Sequence, residues 1–260
     1  MMTPPHNYLA VIKVVGIGGG GVMVPVLTTL FSLQAFPEQH VVHMALATSM
    51  TAIVVTALSS LRAHHRHDAV LWPAVHTMAP GIVIGTFAMA FVAARISSRA
   101  LSIFFVVFMG YVSLQMLVNK QPKPTRQLPN TVGLSLVGLG IGAVSALAAI
   151  GGGSLTVPFM TWCNVKLQKA IGTSAAIGLP IALAGTAGYL MSGLAVQQLP
   201  DYTIGFIYLP AAISISVASF ITAPLGARLT HRLPVTRLRK IFAGLLVVLC
   251  LKMLHTVFAF

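Results

Sequence analysis

Long apolar runs separated by short polar turns set the pattern of this chain, and two of the runs are broken by glycine. Tyr8 to Leu33 is apolar but split by Gly18-Gly19-Gly20-Gly21. Each arm is too short to cross about 30 Å of hydrocarbon alone. After the polar turn Phe36 to His40, the pattern predicts crossings over Val41 to Leu61, Val70 to Ala93 and Leu101 to Val118, with a basic loop at Arg62–Asp68 and a turn at Arg95–Arg99. Asn119 to Asn130 is the longest polar stretch and carries Lys120, Lys123, Arg126 and three prolines. Beyond it, Thr131 to Ile150 leads into Gly151-Gly152-Gly153, and Leu155 to Cys163 forms a short second arm. Lys166 and Lys169 flank the next turn. Crossings are then predicted over Ala170 to Leu194, Tyr202 to Leu225 and Ile241 to Phe260, with the basic loop Arg228 to Lys240 before the last. The expected fold is an all-α integral membrane protein.

The second half replays the first. A shift of 133 residues superposes Gly18-Gly19-Gly20 on Gly151-Gly152-Gly153, and Val24-Pro25 on Val157-Pro158. Thr48-Ser49 has its echo in Thr173-Ser174, Pro73-Ala74 in Pro210-Ala211, and Met116-Leu117 in Met253-Leu254. Residues 1–118 and 131–260 are thus expected to be homologous membrane repeats joined by the linker 119–130.

Composition closes off the soluble classes. With 57% hydrophobic and 7% charged residues and a mean hydropathy of +0.90, no ordinary soluble domain fits. The net charge of +13 could suit a nucleic-acid binder, but the basic residues fall between apolar runs, as in cytoplasmic loops. Cys163 and Cys250 lie inside apolar stretches, so two packed free thiols are expected. Met1 to Ile12 has no early basic cluster, and the first segment is expected to be retained.

Charge also tests the topology. If every segment crosses, the sixteen Lys and Arg divide seven against nine, which is no bias. If the two glycine-broken segments are re-entrant hairpins, twelve of sixteen lie on one face, leaving only Lys13, Arg95, Arg99 and Lys252 opposite. Each repeat is then a hairpin plus three crossings. An odd number of crossings inverts the second repeat, with both termini outside and the two glycine tips meeting near the midplane.

Unwound backbone survives in a membrane only inside protein or beside a watery cavity. Paired broken segments in two repeats point to a transporter's central site. Helix N-termini and runs of free N–H groups attract anions, and glycine lets a ligand approach them. The candidate substrate-binding residues are therefore Gly19, Gly20 and Gly21 with Thr48 and Ser49, and Gly152, Gly153 and Ser154 with Thr173 and Ser174. Thr156 adds a further hydroxyl. Taken alone the Thr-Ser pairs read better as close helix packing, and Pro73, Pro80, Pro210 and Pro224 read as helix kinks.

His64, His65, His67 and Asp68 could ligate a metal, yet between Arg62 and Arg66 they read better as part of a basic face; no metal or cofactor is expected. His43, His76 and His255 read as packed histidines, and Lys252 as a snorkelling one. No Asp or Glu lies inside a crossing, so if transport is proton-driven, protons must ride on the substrate, as hydrogensulfite could, or on a histidine such as His76. With no GxxxxGK[ST] and no HExxH motif, an enzyme is the weaker class.

The doubled G-G-G-x-x-x-V-P signature, each copy followed by a small-Thr-Ser motif, resembles the TauE/SafE family of sulfite exporters, also called toluenesulfonate uptake permeases. The resemblance runs from Val11 to Leu254, and the first copy departs from it with Gly21 where the second has Ser154. It implies a bacterial inner-membrane secondary transporter of sulfite, organosulfonates or related sulfur anions. A passive anion channel, or a carrier of another small carboxylate or oxyanion, is the alternative. Substrate, direction, coupling ion and oligomeric state, a homodimer among the options, are open at this stage.

Overall fold

The computed structural model of the chain describes residues 20–118, 126–232 and 235–258. These form the helices α1 (Gly20–Leu33), α2 (Val41–Arg66), α3 (Trp72–Ala93), α4 (Ser98–Val118), α5 (Thr131–Ala148), α6 (Gly153–Trp162), α7 (Leu167–Gly193), α8 (Leu209–Arg232) and α9 (Val235–Phe258). α2, α3, α5, α7 and the first eighteen residues of α4 are long and apolar enough to cross a membrane. The protein is an all-α integral membrane protein, with one small exception. Thr203–Ile204 (β1) and Ile207–Tyr208 (β2) pair as an antiparallel ladder where the sequence predicts the start of a crossing. Gly205 makes that turn at φ +56, its Cα against the Leu190 carbonyl, where any side chain would collide.

Most other differences from the sequence pattern lie at helix ends. α2 runs on through Arg62–Arg66, expected as loop, because polar residues continue a helix in water as readily as apolar ones in lipid. Cationic side chains also suit its C-terminal dipole. α8 and α9 likewise extend into the predicted loop Arg228–Lys240, and residues 233–234 between them lie outside the described set. Pro73 and Pro210 are each the second residue of their helix, where a missing N–H is no loss; they start α3 and α8 rather than kink them. Pro80 and Pro180 do fall inside α3 and α7.

At the centre, α2 and α7 run antiparallel: Met50 packs on Gly185, Ile53 near Ala182, and Ala57 on Gly178. α3 and α5 run parallel at backbone contact. Gly81 and Gly85 abut the Ser135 and Leu139 backbones, while Gly138 and Gly142 abut the Met78 and Ile82 carbonyls. Two G-x-x-x-G faces thus interlock, the membrane solution for close helix approach.

The two ends of the bundle differ. At one end Trp72 opens α3 and Trp162 closes α6, with the Arg126 guanidinium 4.7 Å over the Trp162 ring. Lys169 donates to the Asp68 carbonyl there, and Arg62, Arg66 and Lys166 lie at the same end by chain position. At the other end Phe31 and Phe36 stack and Tyr208 meets both edge-on, with ring centroids 5.0 to 5.6 Å apart. His43 Nε2 donates there to the Ala93 and Ile96 carbonyls, a packed histidine as expected. Cys163 and Cys250 are buried free thiols.

α5 and α6 form a hairpin within this bundle. The chain enters along α5 from the tryptophan end, turns at residues 149–152, and returns along α6. The Arg126 N–H, four residues before the cap of α5, donates to the carbonyl of Trp162 at 3.3 Å, so the end of α6 lies beside the segment that leads into α5.

Candidate functional site

The turn between α5 and α6 is built from two left-handed residues. Ala149 has φ 47 and ψ 48 and donates to the Ser145 carbonyl, closing α5. Gly152 has φ 77 and ψ −11 and caps α6 without any side-chain bond. A positive φ is cheap for glycine alone. The first acceptor of α6 is the Gly152 carbonyl, which takes Leu155 N at 3.2 Å and Thr156 N at 2.8 Å. The preceding N–H groups, on Gly151, Gly152, Gly153 and Ser154, have no hydrogen-bond partner among the described residues. Four successive free donors at the positive end of a helix make an electropositive cradle without any charged residue.

Side chains around the turn extend that chemistry. Ser154 Oγ and Thr156 Oγ1 are buried and unpartnered among the described residues. Ser174 Oγ, on α7, lies 3.5 Å from where a Cβ on Gly153 would sit, and Thr156 Oγ1 equally close to that of Gly152. Ile53, Ile177 and Ile181 supply apolar walls. A buried hydroxyl left unbonded costs about 1–3 kcal/mol, so polar groups of this kind cluster where a ligand or water completes them. Donors without a carboxylate suit a small anion.

The structure therefore brings together Gly152, Gly153, Ser154, Thr156 and Ser174, and adds Gly151. Thr173 and Thr48 do something else. Thr173 Oγ1 accepts the N–H of Leu71, just before α3, at 2.9 Å. Thr48 Oγ1 accepts the N–H of Tyr208, just before α8, at 3.1 Å. Each threonine caps a helix that begins in the other half of the chain. Neither Leu71 nor Tyr208 lies in a helix that could satisfy its N–H. Thr173→Val should thus strand the Leu71 N–H and lower stability by about 1–3 kcal/mol. Thermal unfolding checks this, and anion affinity on the folded protein should stay within about threefold of wild type, below 1 kcal/mol.

Ser49, next to Thr48, is buried with its Oγ unpartnered among the described residues. Gly19 lies outside the described residues. Gly20 opens α1, and Gly21 packs tightly on the end of Met109, with Leu246 beyond it. His76 is exposed on the first turns of α3 beside Trp72, with ring centroids 5.7 Å apart, an interfacial position rather than a central one. The left-handed Ala149 and the isoleucine walls have no local sequence signature beyond the three glycines that follow.

Comparison with known proteins finds a matching family and several relatives described as membrane transporters. A family model described as "Sulfite exporter TauE/SafE" matches residues 10–253. A protein of Haemophilus influenzae named a probable membrane transporter is 35% identical over 92% of this chain and 90% of its own length. Two others with that description, from Methanocaldococcus jannaschii and Bacillus subtilis (YdhB), are each 24% identical, covering 92% and 85% of this chain and 88% and 85% of their own. No solved structure matches the chain.

Proposed function

The chain belongs to the sulfite exporter TauE/SafE family, and from that premise we propose that it is a secondary transporter, not an enzyme, exporting a small sulfur-containing anion such as sulfite or an organosulfonate. The observation that carries the proposal is the row of free N–H groups from Gly151 to Ser154, with the buried Ser154 and Thr156 hydroxyls and Ser174 beside it. An oxyanion with three oxygens can accept from several such donors at once, and it needs no countercharge inside the membrane.

In this reading the two halves are inverted repeats, each a re-entrant hairpin plus three crossings. Support comes from the α5–α6 arms that meet at Arg126 and Trp162, the antiparallel α2–α7 pair, and the reciprocal caps made by Thr48 and Thr173. The tryptophan end carries Arg62, Arg66, Arg126, Lys166 and Lys169, so it faces the cytoplasm of a bacterial inner membrane and both termini lie outside. Gly19, Gly20 and Gly21 offer the matching first tip, Ser49 adds a hydroxyl, and rocking of one half against the other exposes the site alternately. If transport is proton-driven, the position of His76 at the exposed interface favours a proton carried on the substrate, as hydrogensulfite.

An anion panel tests the site. Sulfite or a small sulfonate should raise the thermal midpoint of detergent-purified protein, following RT ln(1 + [L]/Kd), while chloride at equal ionic strength should not. Counterflow tests the mechanism: preloaded unlabelled sulfite should accelerate labelled uptake into liposomes. Stabilisation without counterflow identifies a passive channel, and no stabilisation by any anion ends the proposal.

A further inference from the structure

A groove of about 360 Å³ opens between α2 and α8, away from the glycine hairpin. Its lining changes character along its length. Val55, Leu58 and Phe220 form an apolar floor, and Phe220 is 68% exposed. Ser59, Arg62 and Arg66 line the part nearer the tryptophan end. Arg62 and Arg66 are four residues apart on one helical face, and both are exposed. Neither has an ion-pair or hydrogen-bond partner among the described residues, although Asp68 lies only two residues beyond Arg66.

The dimensions match one leaflet of a bilayer. From Val55 to Arg66, α2 rises about 16 Å, close to half of the ~30 Å hydrocarbon thickness. Val55 sits at the middle of α2, where it crosses α7, and Phe220 is halfway along α8. The apolar floor thus begins near mid-membrane and ends where two guanidinium groups reach the interface. A water-filled vestibule would not be floored by an exposed phenylalanine, leucine and valine, and a protein partner's helix would leave both arginines unanswered unless it were acidic there.

We propose that this groove holds an anionic phospholipid, with its phosphate between Arg62 and Arg66 and an acyl chain along Leu58, Val55 and Phe220. Two guanidinium groups bind phosphate in their fork geometry, and basic pockets between membrane helices on the cytoplasmic side recognise anionic headgroups. The site is independent of the transported substrate.

Native mass spectrometry of delipidated protein tests it with phosphatidylglycerol and phosphatidylcholine of identical acyl chains. Wild-type protein should bind phosphatidylglycerol about tenfold or more tightly than phosphatidylcholine, as two interfacial arginines predict. The double variant Arg62→Gln/Arg66→Gln should bring the two lipids within about twofold. Leu58→Trp, which fills the floor, should weaken both lipids alike. Equal binding of both lipids by wild-type protein would overturn the proposal without recourse to any variant. A retained preference in the double variant would overturn it too, and a loss of sulfite affinity there with lipid preference intact would make the groove part of the transport path instead.

Discussion

Gly153→Ala should give folded, monodisperse protein with anion affinity lowered at least about tenfold, some 1.4 kcal/mol. Gly153 is the first residue of α6 and has no positive φ. A methyl group there would meet only Ser174 Oγ, at an ordinary contact of 3.5 Å. The fold can therefore accept it. The same methyl would stand between the free N–H row and Ser174, where the anion is proposed to lie, and it would keep the anion off the backbone. Gly152→Ala should behave differently, although the sequence alone treats the two glycines alike. At φ +77 an alanine costs about 1–2 kcal/mol, and its Cβ would come within 2.7 Å of Ile181 Cδ1. Its thermal midpoint should fall before any effect on affinity is reached. Thermal unfolding and sulfite Kd on the monodisperse fraction separate the cases. An unchanged Kd in Gly153→Ala would defeat the backbone site.

The second large effect belongs to packing. Gly142→Leu should leave essentially no monodisperse protein, whereas Gly140→Leu, two residues earlier on the same helix, should fold at wild-type yield. A Cβ on Gly142 would fall 2.5 Å from the Ile82 carbonyl oxygen and 2.7 Å from Thr86 Oγ1, and backbone held in a helix cannot give way. Overpacking of a tight core typically costs about 1–3 kcal/mol, and a whole helix–helix contact would have to part here. A Cβ on Gly140 meets nothing within 4 Å. Leucine there removes a helix-weakening glycine, worth up to about 1 kcal/mol. Size-exclusion profiles of the two variants check the contrast. Equal yields would mean that α3 and α5 can separate without loss of the fold.

These two glycines illustrate how much was legible beforehand. A bilayer of fixed thickness, in which each backbone group must be satisfied within its own segment, makes run length and charge placement nearly sufficient to identify a membrane bundle. Those are local properties, so the sequence alone marks the helical class, the long segments and the glycine-broken stretch before α6. The doubling of the signature is equally local, since it needs only a comparison of the chain with itself.

The partners of individual groups are not local. Thr48 and Ser49 are neighbours, yet adjacent helical side chains point about 100° apart. One hydroxyl is occupied by a backbone N–H 160 residues away, and the other is buried without a partner among the described residues. Nothing in the dipeptide distinguishes them, and the same holds for Thr173, which caps a residue 102 positions away. Gly142 and Gly140 likewise share a composition and a helix, and only the passage of α3 along one side makes the first indispensable. The candidate site itself depends on the return of α6 to the level of Arg126, which orients the helix N-terminus inward. Sequence spacing determined that the helix is broken between Ala148 and Gly153; the direction of the chain after the break follows from long-range packing, because two left-handed residues permit a reversal and contacts such as those of Trp162, Met160 and Phe159 hold it.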